Sequence, residues 1–529
     1  MPSRPFRTLL GLSAIVASAL AGAALAVVVR PREAQRDIAA SHARAPSTAG
    51  RDRAAARADE RDARRERSEH LGAPEIAAPA ATPRTIRWIA AGGGPTPEYN
   101  QLSVEDDLAL FADTLGAAEG MLFFAGGPGT RSVQVLDVAR RGEQVAGEIA
   151  DFFDARAGRD AHYRATRLAL HGPATVGATL GAIERALTAD DGPLTVFLAG
   201  HGTAGEAPGD AALLMWGDEA LSPAALAETL DRAPSSRTVR VVITSCYSGG
   251  FGEIAYRGAR AELGVAETDR CGFFAAPWDL QASGCDPDPD RAVHEGYAIH
   301  FLAALRGKDR EGRDARSALD LDHDGHVSLR EAHARAVIAS SSLDVPTTTS
   351  ETWLRAAAPE RGAEKPYALP EVDAVVAAMA QRTGLVGRET SARAELTRRH
   401  ERMTRLSDEM VAIDEDEASA YRSAAAALLS RWPVLDDPWH PDFHGTLARE
   451  RDAVTAFFDG APEMVAWRDA RARIDALEQR LDEERVEAAP YERLVRALDD
   501  RQLAARLRAE GGADWARYER LIACERGTL

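Results

Sequence analysis

Five short apolar runs alternate with segments of helical character, and this alternation limits the possible folds more than any other feature. Each run predicts a buried strand because small or polar residues bound it and it is too short for a typical helix. The runs cover residues 86–91, 121–125, 194–199, 239–245 and 272–276. Helices are predicted at 103–117, 173–188, 222–232 and 295–306. Strands that alternate with helices form a mainly parallel sheet covered on both faces, so we expect an α/β fold.

Two reactive side chains closely follow two of these runs. His201 comes after residues 194–199, and Cys246 comes directly after residues 239–245. In open α/β sheets the carboxyl ends of the strands carry the chemistry. An adjacent imidazole converts a thiol into the nucleophilic thiolate, so the pair predicts a cysteine-hydrolase dyad with His201 as general base and later acid. The alternative is a strand-end histidine and a buried, unreactive thiol.

Glycines beside both residues suit the same chemistry. In the tight turn at 200–202, the backbone N–H of Gly202 is predicted to face a carbonyl oxygen, and the N–H of Cys246 is predicted to complete an oxyanion hole. The Tyr-Ser-Gly-Gly segment at 247–250 predicts an open loop that leaves the sulfur accessible.

The segments Ala-Gly-His-Gly at 199–202 and Ser-Cys-Tyr-Ser-Gly-Gly at 245–250 resemble those of the caspase-like cysteine peptidases, the clan of caspases, metacaspases and legumain. The spacing of the histidine and the cysteine agrees with the ~50 residues expected in that clan. The legumain-type branch is the most similar, because Tyr-Asn-Gln at 99–101 follows the first strand where that branch has a similar polar segment. The resemblance covers residues 84–358 and implies a caspase-like peptidase domain whose substrate is a protein or peptide.

The resemblance also implies which residues form the substrate pocket. The family's specificity pocket uses the residue two before the cysteine, which is Asp in metacaspases, Glu in legumains, Gln in caspases and Thr244 here. A carboxylate would indicate a basic substrate side chain, and threonine gives no such indication. Asn100 is expected to contribute to the pocket or to orient the imidazole, with a simple turn residue as the alternative.

The segment 320–331 satisfies every position of the twelve-residue EF-hand calcium loop. Oxygen ligands recur at alternate positions because the loop wraps around the ion, and a glycine permits the sharp turn. The predicted ligands are Asp320, Asp322, Asp324, the backbone carbonyl of His326, Ser328 directly or through water, and Glu331. We expect one bound Ca²⁺; an acidic surface turn is the alternative. A lone loop inside an enzyme domain favours a structural role, and activation by calcium stays open.

The first 30 residues predict export. Residues 9–29 carry no charge, which meets the ~20 residues needed to cross a bilayer and exceeds the 7 to 15 of a usual signal-peptide core. A membrane anchor is therefore predicted, with a cleaved signal segment as the alternative because residues 24–26 offer a small-x-small site. Residues 31–83 are rich in Ala and Arg with few large apolar residues, so a disordered linker is expected. The protein would lie in the cell envelope or periplasm, or be secreted if the segment is cleaved.

Residues 365–529 predict a separate, all-α, coiled-coil-like domain. A chain of 529 residues exceeds the ~250 to 300 of a single core, so two folded domains are expected. Two heptad-like series indicate helices that pack antiparallel, as an ordinary helical core or as a surface for a protein partner. The series are Leu396, Met403, Leu406, Met410 and Ile413, and Met464, Trp467, Ile474, Leu477 and Leu481. The net charge of −18 argues against nucleic acid as a partner.

Four cysteines in an oxidising compartment predict at least one disulfide. Cys271 and Cys285 flank a short segment and are predicted to close it, which leaves Cys246 free as the nucleophile and Cys524 without an assigned partner. Taken together, the sequence predicts an exported, calcium-binding cysteine endopeptidase that acts through an acyl-enzyme. The alternative is a catalytically inactive caspase-like scaffold that presents the helical domain to a partner in the envelope.

Overall fold

The computed structural model describes residues 80, 83 and 85–528, except 117–118, 138–143, 154–160, 190–191, 235–236 and 439. The predicted anchor at 1–30 and nearly all of the predicted linker at 31–83 lie outside the described residues. Within the described part of the chain, each helix is too short or too polar to span a membrane.

The strands fall into three sheets. They are β1 Trp88–Gly93, β2 Gly120–Phe124, β3 Arg131–Leu136, β4 Ala161–Ala165, β5 Leu194–Gly200, β6 Gly202–Thr203, β7 Ala212–Met215, β8 Glu219–Leu221, β9 Val239–Ile243, β10 Arg270–Phe274 and β11 Thr347–Thr348. The central sheet has six strands in the order β11-β10-β9-β5-β1-β2. All its neighbouring strands are parallel except β10 and β11. The strands β3–β4 and β6–β8 form two small antiparallel sheets.

Helices cover the central sheet and continue to the end of the described chain. They are α1 Leu102–Leu115, α2 Gln144–Phe153, α3 Val176–Ala189, α4 Pro223–Leu230, α5 Tyr297–Leu305, α6 Arg316–Leu319, α7 Leu329–Ala339, α8 Thr349–Ala357, α9 Pro370–Thr383, α10 Ala392–Arg431, α11 Phe443–Gly460, α12 Pro462–Glu510 and α13 Gly512–Glu525. Short 3₁₀ turns lie at Pro97–Tyr99, Pro208–Asp210, Ser248–Ala255, Arg257–Ala259, Ala261–Leu263 and Glu389–Ser391.

The predicted mainly parallel α/β sheet is confirmed. The predicted strands match β1, β2, β5, β9 and β10 to within two residues at each end. Their continuous burial is what parallel strands covered on both faces require. Helix α4 begins where local chemistry favours it, because the Ser222 hydroxyl accepts a hydrogen bond from the N–H of Ala225 at 3.2 Å and Pro223 occupies the first turn.

Two apolar layers enclose the central sheet. Alternate residues of β1 and β5 face opposite sides, so Ala90 and Phe197 lie in one layer while Ile89 and Val196 lie in the other. Helices α1, α5 and α7 bury their apolar faces in the first layer, and α3 and α4 bury theirs in the second. The carboxyl ends of the parallel strands are therefore held at one edge between two layers of helices.

The long helices α10 and α12 pack against each other in antiparallel fashion. The order of their contacts shows the direction: Arg399 pairs with Glu484 at 3.2 Å, and the Trp467 indole donates to Glu417 at 2.8 Å. Between these contacts lies an apolar cluster formed by Leu406, Ile413, Ile474, Leu477 and Leu481. The antiparallel packing predicted from the two heptad-like series is confirmed.

A disulfide between Cys271 and Cys524 joins the last helix, α13, to strand β10. The prediction that Cys271 pairs with Cys285 is wrong; both Cys285 and Cys246 are free. The physical reason is position in the sheet. Cys271 lies near the amino end of β10, whereas Cys285 faces a cavity at the opposite edge, beside the carboxyl ends of β5 and β9.

Buried charges also connect the C-terminal helices to the α/β part. The Arg330 guanidinium in α7 forms a buried salt bridge with Glu525 of α13, which is fully inaccessible. Glu525 also accepts from the N–H of Ser350 at 2.8 Å. Because one apolar cluster contains residues of α7, α8, α9, α12 and α13, the helical region shares a core with the sheet domain.

Candidate active site

Strands β5 and β9 bring His201 and Cys246 to the same edge of the sheet. The strands pair in parallel with Leu198 opposite Ile243, and the N–H of Thr244 donates to the carbonyl of Leu198 at 3.0 Å. His201 and Cys246 therefore each lie three residues after a pair of residues that are opposite each other in the sheet. The turn after His201 lies directly against the cysteine, since a Cβ atom added to Gly202 would lie 2.1 Å from the backbone oxygen of Cys246. Glycine is required at 202 for this close approach.

The His201 imidazole is oriented by Gln101, which precedes α1. The distance from His201 Nε2 to Gln101 Oε1 is 2.8 Å, and Gln101 is buried. An amide oxygen can only accept a hydrogen bond, so Nε2 carries the proton and Nδ1 carries the lone pair of the neutral ring. The Tyr99 ring stands edge-on to the imidazole at 5.8 Å between centroids. These contacts hold the imidazole in one orientation.

The Cys246 thiol is half-buried and is held by the backbone of Ala282. Its sulfur donates to the Ala282 carbonyl at 3.4 Å and accepts from the Ala282 N–H at 3.3 Å. Burial raises the pKa of Cys246 to about 11, and the Ala282 hydrogen bond lowers it only in part. The thiol is therefore protonated near neutral pH in this conformation.

The segment after Cys246 differs from the open loop predicted at 247–250. Tyr247 adopts φ 59°, a left-handed conformation that is uncommon for tyrosine, and a 3₁₀ turn begins at the next residue. The N–H of Gly249 donates to the carbonyl of Ala276 at 2.7 Å, and Ser248, Gly249 and Gly250 are buried. Gly249 packs closely against the segment after β10 and Gly250 against Pro208 and Ala211, so the two glycines do not form an open loop.

Asn100 is a fully buried structural residue. Its amide nitrogen donates to the carbonyl of Ser132 at 3.0 Å, and its oxygen accepts from the N–H of Gly94 at 3.1 Å. These bonds join the turn after β1 to strand β3. The neighbouring Gln101, and not Asn100, makes the contact with His201, and Asn100 is absent from the residues that line the cavity beside the dyad.

Thr244, the residue two before the cysteine, lines that cavity. Asp107 from α1, which the sequence analysis did not single out, lines it as well. Burial, together with the charge of Asp106, raises the pKa of Asp107 to about 8. A helical face offered a sign of this placement: Asp107 stands between Val104 and Leu108, which are both buried, so a carboxyl group occupies an otherwise apolar stripe.

The predicted calcium loop brings three carboxylates together. Ligand oxygens of Asp320, Asp322 and Asp324 all lie within 4.8 Å of one another. Asp320 accepts hydrogen bonds from the N–H groups of Asp324 and Gly325, both at 3.0 Å, so the loop curls around its first residue. Gly325 has φ 88°, a conformation that glycine adopts without strain.

The other predicted calcium ligands stand apart from this group of three. Glu331 is buried and accepts from the N–H groups of Leu321 at 2.6 Å and Ser328 at 2.8 Å. The Ser328 hydroxyl accepts from the N–H of Glu331 at 3.1 Å, which caps α7. His326 donates its backbone N–H to Asp324 at 2.8 Å. Glu331 therefore closes the loop through hydrogen bonds to its backbone, while the three aspartates could hold a cation.

No family model matches the chain, and no curated protein matches it significantly. The class that the fold and the site define is an α/β protein with a histidine and a cysteine at adjacent strand ends.

Proposed function

We propose that this protein is a cysteine endopeptidase with a caspase-like fold. The observation that carries the proposal is that His201 and Cys246 both follow the carboxyl ends of the neighbouring parallel strands β5 and β9, with the turn at Gly202 packed against the backbone of Cys246. The contact between Gln101 and the His201 imidazole adds support, because a base needs a fixed orientation to act on a nearby nucleophile. The resemblance of the segments around both residues to caspase-like peptidases is consistent with this arrangement.

The proposed reaction passes through a thioester. His201 removes the proton from the Cys246 thiol, and the sulfur attacks the substrate carbonyl. The C–N bond breaks as the imidazolium returns that proton to the leaving amine. Water then attacks the thioester, which releases the acid and restores the thiol. The N–H groups of Gly202 and Cys246 are the proposed donors to the oxyanion in both steps.

The resting thiol must be released from Ala282 before it reacts. Its raised pKa means that few molecules hold a thiolate at neutral pH. Substrate that binds along the segment around Ala282 would compete for the same backbone N–H and carbonyl groups. We therefore propose that substrate binding frees the sulfur and lets His201 take its proton.

Calcium is proposed as the ligand of the loop at 320–331. The carboxylates of Asp320, Asp322 and Asp324 would supply oxygen ligands, and the ion would offset their mutual repulsion. Helix α7 begins at Leu329, within the last residues of this loop, and packs against α5, so the ion would stabilise the helical layer of the domain. A structural role is the proposal, since a single loop has no partner loop to open.

Export to the cell envelope or periplasm is also proposed. The Cys271–Cys524 disulfide supports this location, because structural disulfides persist in oxidising compartments. The uncharged segment at 9–29 would anchor the protein to a membrane, or direct its secretion if it is cleaved. The helical region would then be available to a protein partner outside the cytoplasm.

A catalytically inactive scaffold is the second candidate, and one observation favours it. Cys246 is bonded to Ala282 on both its donor and its acceptor side, and its pKa is raised and not lowered. A reactive cysteine normally shows the opposite shift. In that case the sheet domain would have no catalytic activity and would present the helical region to a partner in the envelope.

Alkylation of Cys246 tests the two candidates. Full-length protein is treated with iodoacetamide between pH 5 and 10, with calcium or a chelator, and modification is located by mass spectrometry. An endopeptidase is expected to show labelling below pH 8 that is lost in His201→Ala, once a substrate-like peptide is added. Labelling that follows the titration of an ordinary buried thiol and is unchanged in His201→Ala, with or without peptide, would support the scaffold.

A further inference from the structure

A cavity opens beside the two reactive residues. Its wall includes Gly200, which ends β5 and directly precedes His201. The wall also includes Thr244, which follows β9 and lies two residues before Cys246. If Cys246 attacks a peptide carbonyl, the side chain on the amino side of that carbonyl must lie next to the sulfur. This cavity is the adjoining space, so its wall decides which side chain is accepted.

Most of the wall is backbone or small side chains. Gly200, Gly284 and Gly296 contribute no side chains, and Ala199 and Ala298 contribute only methyl groups. Such a wall gives little chemical preference of its own. Preference must come from the few polar groups that remain.

Asp107 is the polar group that sets the charge of the cavity. Tyr297 also lines it, but its hydroxyl is hydrogen-bonded to His333 Nδ1 at 2.9 Å. Cys285 lines it as a thiol whose pKa is raised far above its usual value by burial. No lysine, arginine or histidine side chain belongs to the wall among the described residues. At this position the chain offers one carboxyl group and no cation.

The Asp107 carboxyl also lacks a partner of its own. In the described part of the structure no hydrogen bond or salt bridge reaches it, whereas the adjacent Asp106 pairs with Arg291 at 3.2 Å. A carboxyl group withdrawn from bulk water without a cation is costly to keep ionised. A cationic side chain that enters the cavity would form a salt bridge with the Asp107 carboxylate. It would not have to break an existing hydrogen bond or salt bridge of that group.

We propose that Asp107 selects a lysine or arginine side chain at the substrate residue whose carbonyl Cys246 attacks. This specificity rests on the proposed peptidase function. The Thr244 hydroxyl is the second polar contact for the basic head group. A basic head group would favour the ionised form of Asp107, which thereby takes the place of the carboxylate that is missing two residues before the cysteine. An acidic substrate side chain would find no cation in the wall and would be disfavoured.

Covalent peptide reagents that differ only in this side chain test the proposal. Full-length protein is incubated with peptidyl acyloxymethyl ketones that carry Arg, Lys, Asn, Asp or Leu next to the reactive group. The second-order rate of Cys246 modification is measured by mass spectrometry in the native protein, in Asp107→Asn and in Asp106→Asn. The last variant removes the same charge one residue away, outside the cavity wall, and is the matched control.

The expected result is a preference of at least about tenfold for the Arg and Lys reagents over the Leu reagent. Asp107→Asn is expected to lose most of that preference, and a circular dichroism spectrum that matches that of the native protein checks that the variant is folded. Asp106→Asn is expected to keep the preference.

Two results would overturn the specificity and leave the peptidase intact. One is labelling that depends on His201 and is fastest with the Asn, Asp or Leu reagent. The other is a preference for Arg that Asp107→Asn does not change. If no reagent labels Cys246 faster than it labels the His201→Ala variant, both the specificity and the proposed peptidase function are wrong.

Discussion

Gln101 is the residue that would position His201 for the proposed chemistry. Its amide oxygen accepts a hydrogen bond from the Nε2–H of the imidazole and so favours the tautomer in which Nδ1 is basic. The same logic applies to any catalytic histidine, whose second nitrogen needs a fixed partner before the first can act as a base. Gln101 does not touch the thiol in this structure, so its role is to position the imidazole.

Replacing Gln101 by leucine is expected to slow the His201-dependent labelling of Cys246 about 10- to 100-fold at pH 7, because the rate gain that a positioned general base provides is partly lost. The leucine fills a similar volume but accepts no hydrogen bond, so the imidazole loses its fixed tautomer. The pH profile of labelling should flatten toward that of His201→Ala. Gln134→Leu is the control, because Gln134 donates to the carbonyl of Glu98 at 3.0 Å and is likewise buried.

Asn100→Ala is expected to lower the free energy of unfolding by about 1 to 3 kcal/mol, since it leaves the Ser132 carbonyl and the Gly94 N–H without their buried partner. Urea unfolding followed by circular dichroism measures the change. The labelling rate of the remaining folded protein should alter little. A large loss of labelling with unchanged stability would instead give Asn100 a role in the reaction.

At the scale of the element, the loop at 320–331 connects a short helix, α6, to α7. Its three close carboxylates repel one another at neutral pH, while α7 depends on the loop for its first residue and its cap. A bound cation would therefore stabilise both the loop and the start of the helix. The effect should appear in stability even if the active site is far from the ion.

Calcium at about 100 times its dissociation constant is expected to raise the free energy of unfolding by about 2.7 kcal/mol. Unfolding is compared in calcium and in chelator. Asp320→Asn should lose most of this increase because the first position of the loop requires a charged ligand. Asp314→Asn, which makes the same change in an exposed residue shortly before the loop, should retain it. Equal stabilisation in both variants would place the ion elsewhere.

Five strands of the central sheet were predictable because burial on both faces leaves a mostly apolar run. Strands β3 and β4 were missed because polar residues interrupt them, and β6, β7, β8 and β11 were missed because they are only two to four residues long. For the same reason, His201 and Cys246 were predictable as strand-end residues, whereas Gln101, Asp107 and Ala282 were not. Their relation to the site comes from how α1 and the segment after β10 pack.

At the scale of the whole molecule, Arg493 of α12 links the helical region to the segment that holds the thiol. Its buried guanidinium donates to the carbonyls of Asp344 at 2.7 Å, Ser340 at 2.8 Å and Ser342 at 2.9 Å. The Asp344 carboxylate in turn accepts from the N–H of Ser283 at 2.6 Å, next to Ala282. The helical hairpin and the cysteine are therefore connected through a short chain of hydrogen bonds.

Arg493→Met is expected to cost about 3 kcal/mol or more, because several buried carbonyls lose a charged donor. The looser segment should also expose the thiol, so iodoacetamide is expected to label Cys246 faster than in the native protein. Arg480→Met, an exposed position on the same helix, should change stability by no more than about 0.5 kcal/mol. A destabilised variant with unchanged labelling would show that the helix supports the fold without influencing the cysteine.

The Cys271–Cys524 disulfide spans 253 residues of sequence, and both dyad residues lie before it. Any backbone cut between the two half-cystines, whether in the calcium loop or in the helical hairpin, would leave the piece that carries the dyad covalently joined to the last helix. A nicked molecule would therefore run as one species on a denaturing gel and as two after a reductant is added. Maturation of this chain by internal cleavage would therefore leave its apparent size on a gel unchanged until the disulfide was reduced.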